Sequence, residues 1–133
     1  MSHTMNIKTE IRDREALQVA CDRLGLSGEE GSFKFYDSDR YNKRMRKHED
    51  TGIRHEGIGI RLKDWEYPIV VKDDGTIAYD NYDGQWGDIK RLEELQDAYA
   101  LEKASMEARR QGYRVFETTD EQGNLQLRIR VGE

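Results

Sequence analysis

The chain opens on an alternation of apolar and polar positions. Met5, Ile7, Thr9 and Ile11 alternate with Asn6, Lys8 and Glu10, the period of two expected of a half-buried strand. Asp13 then offers a helix cap, with Glu15 in the first turn. Leu17, Ala20, Cys21 and Leu24 follow at i, i+3, i+4 and i+7, which is one face of a helix with Cys21 inside it. Gly25 suits the left-handed position just past that helix, and Leu26 can fold back on its last turn.

Phe33, Phe35 and Tyr36 suggest a short strand, and the segment after it has no clear period. Ile58, Ile60 and Leu62 alternate with Gly57, Gly59 and Arg61, a strand weakened by its glycines. Residues 67–72 and 76–80 are β-rich and flank Asp73-Asp74-Gly75, a hairpin signal. Pro68 has no N–H to donate and belongs at the start or edge of its strand. Residues 81–87 (N-Y-D-G-Q-W-G) form a turn-rich loop. Asp88 caps a helix predicted to run to about Gln111, with Leu92, Leu95, Tyr99 and Met106 as its stripe, Ala98 and Leu101 flanking, and Gly112 as its stop. Tyr113 to Phe116 begins a strand, and residues 121–124 make a turn. Leu125, Leu127, Ile129 and Val131 then alternate with Gln126, Arg128 and Arg130, the cleanest strand pattern in the chain.

The predicted order is β-α-β-β-β-β-α-β-β, with strands joined mostly by short turns. That order implies an α+β domain: a mostly antiparallel sheet of about 5–7 strands with two helices packed on one face, an elaborated split β-α-β arrangement. The outer face of the sheet would carry Arg128 and Arg130 unless a partner or a second subunit covers it. The 133 residues suit one domain, 1–133.

Composition narrows the class. Charged residues make up 37% of the chain, against about 25% in typical domains, so the surface is densely charged around one modest core. No run reaches the ~18 apolar residues of a membrane helix, and residues 1–6 lack the makeup of a secretory signal. The expectation is a cytoplasmic chain without a membrane span. A single cysteine, Cys21, excludes an internal disulfide framework. A net charge of −5 argues against a dedicated non-specific DNA binder. The charge is uneven, however. Residues 40–47 (R-Y-N-K-R-M-R-K) hold five basic side chains in eight and no acid, whereas acids dominate from Asp73 to Asp97.

Both ends of the chain carry a resemblance. The opening M-S-H-x-x-x-I-K-T-x-I-R-D-x-E-A-L spans Met1 to Leu17. The far end has Tyr99-Ala100, then Gln111-Gly112-Tyr113-x-Val115-x-Glu117 and Gly123-x-Leu125-x-Leu127-x-Ile129. Between them lie Val71-x-x-Asp74-Gly75 and Tyr79-Asp80-x-Tyr82-Asp83. Together these residues resemble an uncharacterised family of cyanobacteria, plastids and other bacteria that includes a hypothetical chloroplast reading frame, Ycf-thirty-five. The chain departs from the pattern at Thr4, where the family has phenylalanine, and over a variable, insertion-like stretch at 27–67 that includes Asp64-Trp65-Glu66. The resemblance transfers no catalytic activity. Its members' proximity to AAA-type ATPase genes implies an accessory role, with such an ATPase as the expected kind of partner.

Few constellations suggest bond chemistry. His48-Glu49-Asp50 and His55-Glu56 gather five potential ligands, yet lack the helical spacing of H-E-x-x-H, and a polar surface loop is the plainer reading. His3 fits a role in hydrogen-bonding the end of the sheet. Setting Gly84 at position 6 of a calcium loop puts Tyr79 first and Lys90 twelfth, the wrong residues at both ends. There is no G-x-S-x-G elbow and no glycine-rich phosphate loop. Cys21 reads as a small core residue. No cofactor, metal site or catalytic residue is expected.

The leading expectation is therefore a non-enzymatic adaptor that binds another protein, with Tyr82, Asp83 and Trp86 as an acidic-aromatic contact. Trp86 can instead fold back on the core. The alternative is a nucleic-acid-binding module in which Arg40, Lys43, Arg44, Arg46 and Lys47 pair with phosphates and Tyr41 stacks on a base. A small-ligand binder or enzyme would require a pocket with converging polar groups. Either a monomer or a homodimer fits the pattern.

Overall fold

Among the described residues, Asp13 and Asp88 start the two helices. In the computed structural model, which describes residues 5–7, 10–35, 53–81, 83–123 and 125–131, the Asp13 carboxylate accepts from the Ala16 N–H at 3.0 Å and opens α1 (Arg14–Leu24). Asp88 accepts from the Lys90 N–H at 3.0 Å and opens α2 (Ile89–Arg110). Both helices stop as their sequences predict. The Leu26 N–H bonds the Cys21 carbonyl at 2.8 Å and the Gly25 N–H bonds that of Asp22 at 3.2 Å. Tyr113 and Gly112 repeat the pair on Ala108 (3.0 Å) and Arg109 (2.9 Å). Left-handed glycines, φ 71° at Gly25 and 84° at Gly112, let each chain turn back to satisfy those carbonyls.

The strands are β1 (Met5–Ile7), β2 (Gly28–Phe35), β3 (Ile53–Ile60), β4 (Ile69–Val71), β5 (Ile77–Tyr79), β6 (Arg114–Thr119) and β7 (Leu125–Arg130). Among the described residues the element order is the predicted one. The first five strands form an antiparallel sheet in the order β1-β5-β4-β3-β2. Every neighbouring pair is antiparallel, so β1 and β2 point the same way at opposite edges. They are joined through α1 and separated by three strands, which is a split β-α-β unit widened by insertion. One expectation is refined: β6 and β7 do not extend this sheet and instead make a separate two-stranded hairpin.

The main core lies on the helix side of the sheet. Ile60, Ile69, Val71 and Ile77 project from the strands onto Ala16, Leu17, Ala20 and Cys21 of α1 and Leu92, Leu95, Ala98 and Tyr99 of α2. Each large aliphatic side chain buried this way contributes about 1.5–3 kcal/mol. Alternation sends Val70 and Ala78 to the opposite face, where Phe33 and Tyr67 pack over them. Gly59 belongs to that second layer: a Cβ there would lie 2.3 Å from the Phe33 ring. The glycine that weakens the strand pattern is thus a seat for an aromatic ring.

The 27–67 stretch supplies β2 and β3, paired over eight residues from Gly28↔Ile60 to Phe35↔Ile53. β2 is longer than the Phe33–Tyr36 segment its sequence suggests. Gly28-Glu29-Glu30-Gly31 carries no apolar alternation, and edge pairing to β3 holds it instead. No helix among the described residues is long and apolar enough to cross a membrane.

Candidate functional site

The hairpin β6–β7 has no fully buried side chain among its described residues, unlike β4 and β5 of the sheet. Its register pairs Arg114 with Arg130, Val115 with Ile129, Phe116 with Arg128 and Glu117 with Leu127. Cross-strand partners share a face, so the ribbon has two unlike sides. One carries Arg114, Phe116, Thr118, Gln126, Arg128 and Arg130, with no acid among them. The other carries Val115, Glu117, Leu127 and Ile129. Val115 and Leu127 are half-buried. Ile129 is 45% exposed, Val131 just beyond the strand is 69% exposed, and Phe116 on the basic side is 45% exposed. A two-stranded ribbon is marginal by itself in water, so its attachment to the body matters.

Part of that attachment is electrostatic. Arg23, in the last turn of α1, places its guanidinium between Glu102 of α2 and Glu117 of β6. Nη2 donates to Glu117 Oε1 at 2.7 Å and Nη1 to Oε2 at 3.2 Å, while Nη2 also donates to Glu102. The bidentate bond from Arg23, helped by the nearby charge of Arg109, holds the Glu117 carboxyl below the usual glutamate range. The two carboxylates push the Arg23 guanidinium further toward its charged form. The Glu102 side chain is only 7% exposed, so Arg23 also neutralises a charge that would otherwise be costly to bury. Sequence reading missed this triad, although its signal exists. Glu102 falls at the regular three-four spacing of Leu92, Leu95, Tyr99 and Met106, inside an apolar stripe where a carboxylate needs a partner.

A second set of polar contacts pins the start of α1 to α2. The Asp13 N–H donates to the Tyr99 hydroxyl at 3.1 Å, and Lys103 Nζ lies 3.2 Å from Asp13 Oδ2. The Ala16 amide and Lys103 lower the Asp13 carboxyl from its ordinary value.

The sequence-predicted residues are placed as follows. Tyr82 lies outside the described residues. Asp83 is exposed at the tip of its loop on left-handed backbone, φ 52°. Trp86 is half-buried and turned edge-on to Tyr67, ring centroids 5.2 Å apart. Its carbonyl accepts from the Glu66 N–H and its own N–H donates to Asn81 O. The loop is tied down further by Trp65, which is buried in the core and bonds the Asp88 carbonyl through Nε1 at 3.0 Å. Gly87 lies flat on that indole, where a Cβ would come within 2.3 Å of the ring. Arg40, Tyr41, Lys43, Arg44, Arg46 and Lys47 fall outside the described residues, as do His3, His48, Glu49 and Asp50. His55 and Glu56 are not brought together: His55 is buried, Glu56 is exposed, and adjacent strand residues face opposite ways. Burial and the charge of Lys72 lower the His55 imidazole below its usual value.

A groove of about 220 Å³ separates α1 from β2, lined by Arg14, Leu17, Cys21, Glu30 and Ile58 among others. Arg14 is engaged there by Asp73 at 2.9 Å and Glu30 at 3.4 Å. Cys21 is buried, and desolvation pushes its thiol up to about 11. A thiol so protonated is a poor nucleophile. Among the described residues no group of three or more His, Cys, Asp or Glu is disposed to hold a metal ion.

No protein-family model, curated protein or solved structure matches the chain. The functional reading therefore rests on the fold and on the hairpin's two faces.

Proposed function

We propose that the protein is an adaptor that acts by binding another protein, and that the hairpin β6–β7 is its principal contact. One observation carries this reading. The cleanest apolar alternation in the chain, at Leu125, Leu127, Ile129 and Val131, lies in a strand with no fully buried side chain among its described residues, with Ile129 45% and Val131 69% exposed. Such alternation is what a strand has when one face is destined for burial. The occupant proposed is an extended segment of a partner protein with apolar side chains. It would add a third strand to an unpaired edge of the ribbon and cover Ile129 and Val131. Backbone hydrogen bonds would supply affinity and the apolar contacts specificity. The ribbon would gain the third strand it needs to be stable as a sheet. The body then serves as a scaffold, with Arg23 setting the ribbon's angle. The resemblance seen at both ends of the chain supports an accessory role of this kind, with an AAA-type ATPase as the kind of partner it implies.

The test is a photo-crosslinking phenylalanine analogue at Ile129, irradiated in nuclease-treated lysate of the native host. The same analogue at exposed Gln18 on α1 is the control. The reading predicts one protein adduct at 129, absent at 18 and competed away by the unlabelled protein. Equal adducts at both sites, or none at 129, would overturn it.

A further inference from the structure

We infer that the other face of the hairpin is a binding site for single-stranded nucleic acid. Arg114, Arg128 and Arg130 share that face, and all three are exposed. None of them makes an ion pair among the described residues; the guanidinium carbon of Arg130 lies 5.7 Å from the centre of the Phe116 ring. Arg114 and Arg130 stand directly opposite each other across the ribbon. Like charges so placed destabilise a β-pair, and among the described residues no carboxylate on that face offsets them. An anion that joins the two guanidinium groups would remove the cost. Arg128 and Arg130, two residues apart on one strand, lie about 6.7 Å from each other along it, so a linear polyanion can engage both.

Phe116 separates a nucleic acid from a plain polyanion. The ring is 45% exposed among the arginines, and the cation beside it leaves area for a stacked base. Basic side chains that follow a phosphate backbone, with an aromatic ring as platform for a base, are the two parts of sequence-tolerant single-strand recognition. Arg109 and Arg110 in the last turn of α2 are exposed and extend the positive field from helix to ribbon. The chain is net negative, so this local concentration of arginine confines a polyanion to one end of the molecule. The site uses none of residues 40–47. It is also the reverse of the surface carrying Ile129 and Val131, so either hairpin reading can fail without the other.

The experiment is fluorescence anisotropy of the full-length protein with a labelled oligothymidylate and a labelled oligouridylate, read against salt. Three neutralised phosphates predict a slope of log K on log salt of about −2. Arg128→Ala should reduce the slope by roughly 0.7. Phe116→Ala should weaken binding roughly 5- to 150-fold with the slope unchanged, and Phe116→Tyr should restore most of it. An Ile129→Ser/Val131→Ser variant, which adds no charge beside Arg130, should bind the oligonucleotides as the parent does. Thermal unfolding of each variant checks that its fold is retained. Three results would overturn the proposal: no saturable binding, binding indifferent to Phe116, or displacement by polyglutamate as effective per charge as by oligothymidylate. The last would move the arginine face to an acidic protein.

Discussion

The five-stranded sheet and the hairpin β6–β7 are both antiparallel, and both alternate apolar with polar residues, but only one of them is finished. In the sheet, Ile60, Ile69, Val71 and Ile77 are wholly buried under two helices. In the hairpin, Ile129 and Phe116 are almost half exposed, and an arginine clip ties the ribbon to the body. Alternation specifies which face seeks burial; it does not specify that the same chain provides the cover. Where the same chain provides no cover, the pattern outlines an apolar surface left open to solvent, the surface proposed here as the contact for a partner.

The sharpest way to break this contrast is to truncate one residue in each region. Leu95→Ala should cost about 2–5 kcal/mol in urea unfolding, because it opens a cavity between α2 and the sheet. Ile129→Ala should cost about 0.5 kcal/mol or less. Equal losses would mean that the hairpin belongs to the core. Next in size is Arg23→Ala, expected to cost about 2 kcal/mol because Glu102 is left buried without its cation. Adding Glu102→Gln should recover part of that loss, which a double-mutant cycle would read. Asp13→Ala should cost about 1 kcal/mol by removing the cap of α1, and should leave hairpin amide exchange unchanged, whereas Glu117→Gln should accelerate it.

The smallest effect is on pH dependence, and its sign is definite. Glu117 and Asp13 titrate lower when folded than when unfolded. Their contribution is complete above the ordinary carboxylate range and fades as pH falls through the lowered folded values. His55 also titrates lower when folded. As a base kept neutral by burial, it adds stability that is complete above about 6.5 and fades below it. Urea midpoints should therefore fall on acidification, first as His55 charges and later as the carboxyls protonate. Glu117→Gln should flatten only the later part.

Much of the architecture was legible because it is locally encoded. Asp13 and Asp88 mark helix starts through carboxylates that accept from backbone N–H groups, Gly25 and Gly112 mark helix ends through backbone hydrogen bonds, and Asp73-Asp74-Gly75 marks the turn that returns Lys72 to Thr76 at 2.8 Å. What escaped was encoded at a distance. Gly28 to Gly31 forms a strand only because β3 is beside it. Trp65 reads as part of a variable segment, yet it fills the core beneath residues 81–87. Glu102 reads as one more charge in a charged helix until Arg23, far along the chain, reaches it. The hairpin escaped for another reason: its pattern was plain, but nothing local says that the strands leave the main sheet. Two surface candidates had been visible as residues. Arg128 and Arg130 were expected on an outer sheet face and do stand exposed, whereas Trp86 is tucked against Tyr67.

The most direct measurement pairs stability with assembly in a single variant, Ile129→Asp/Val131→Asp. Urea unfolding and recovery of the affinity-tagged protein's complexes from nuclease-treated host lysate would be read side by side. A surface completed by a partner predicts a midpoint within about 0.5 kcal/mol of the parent and loss of the complexes the parent recovers. A drop in stability as large as that of Leu95→Ala, or full recovery of the complexes, would contradict it.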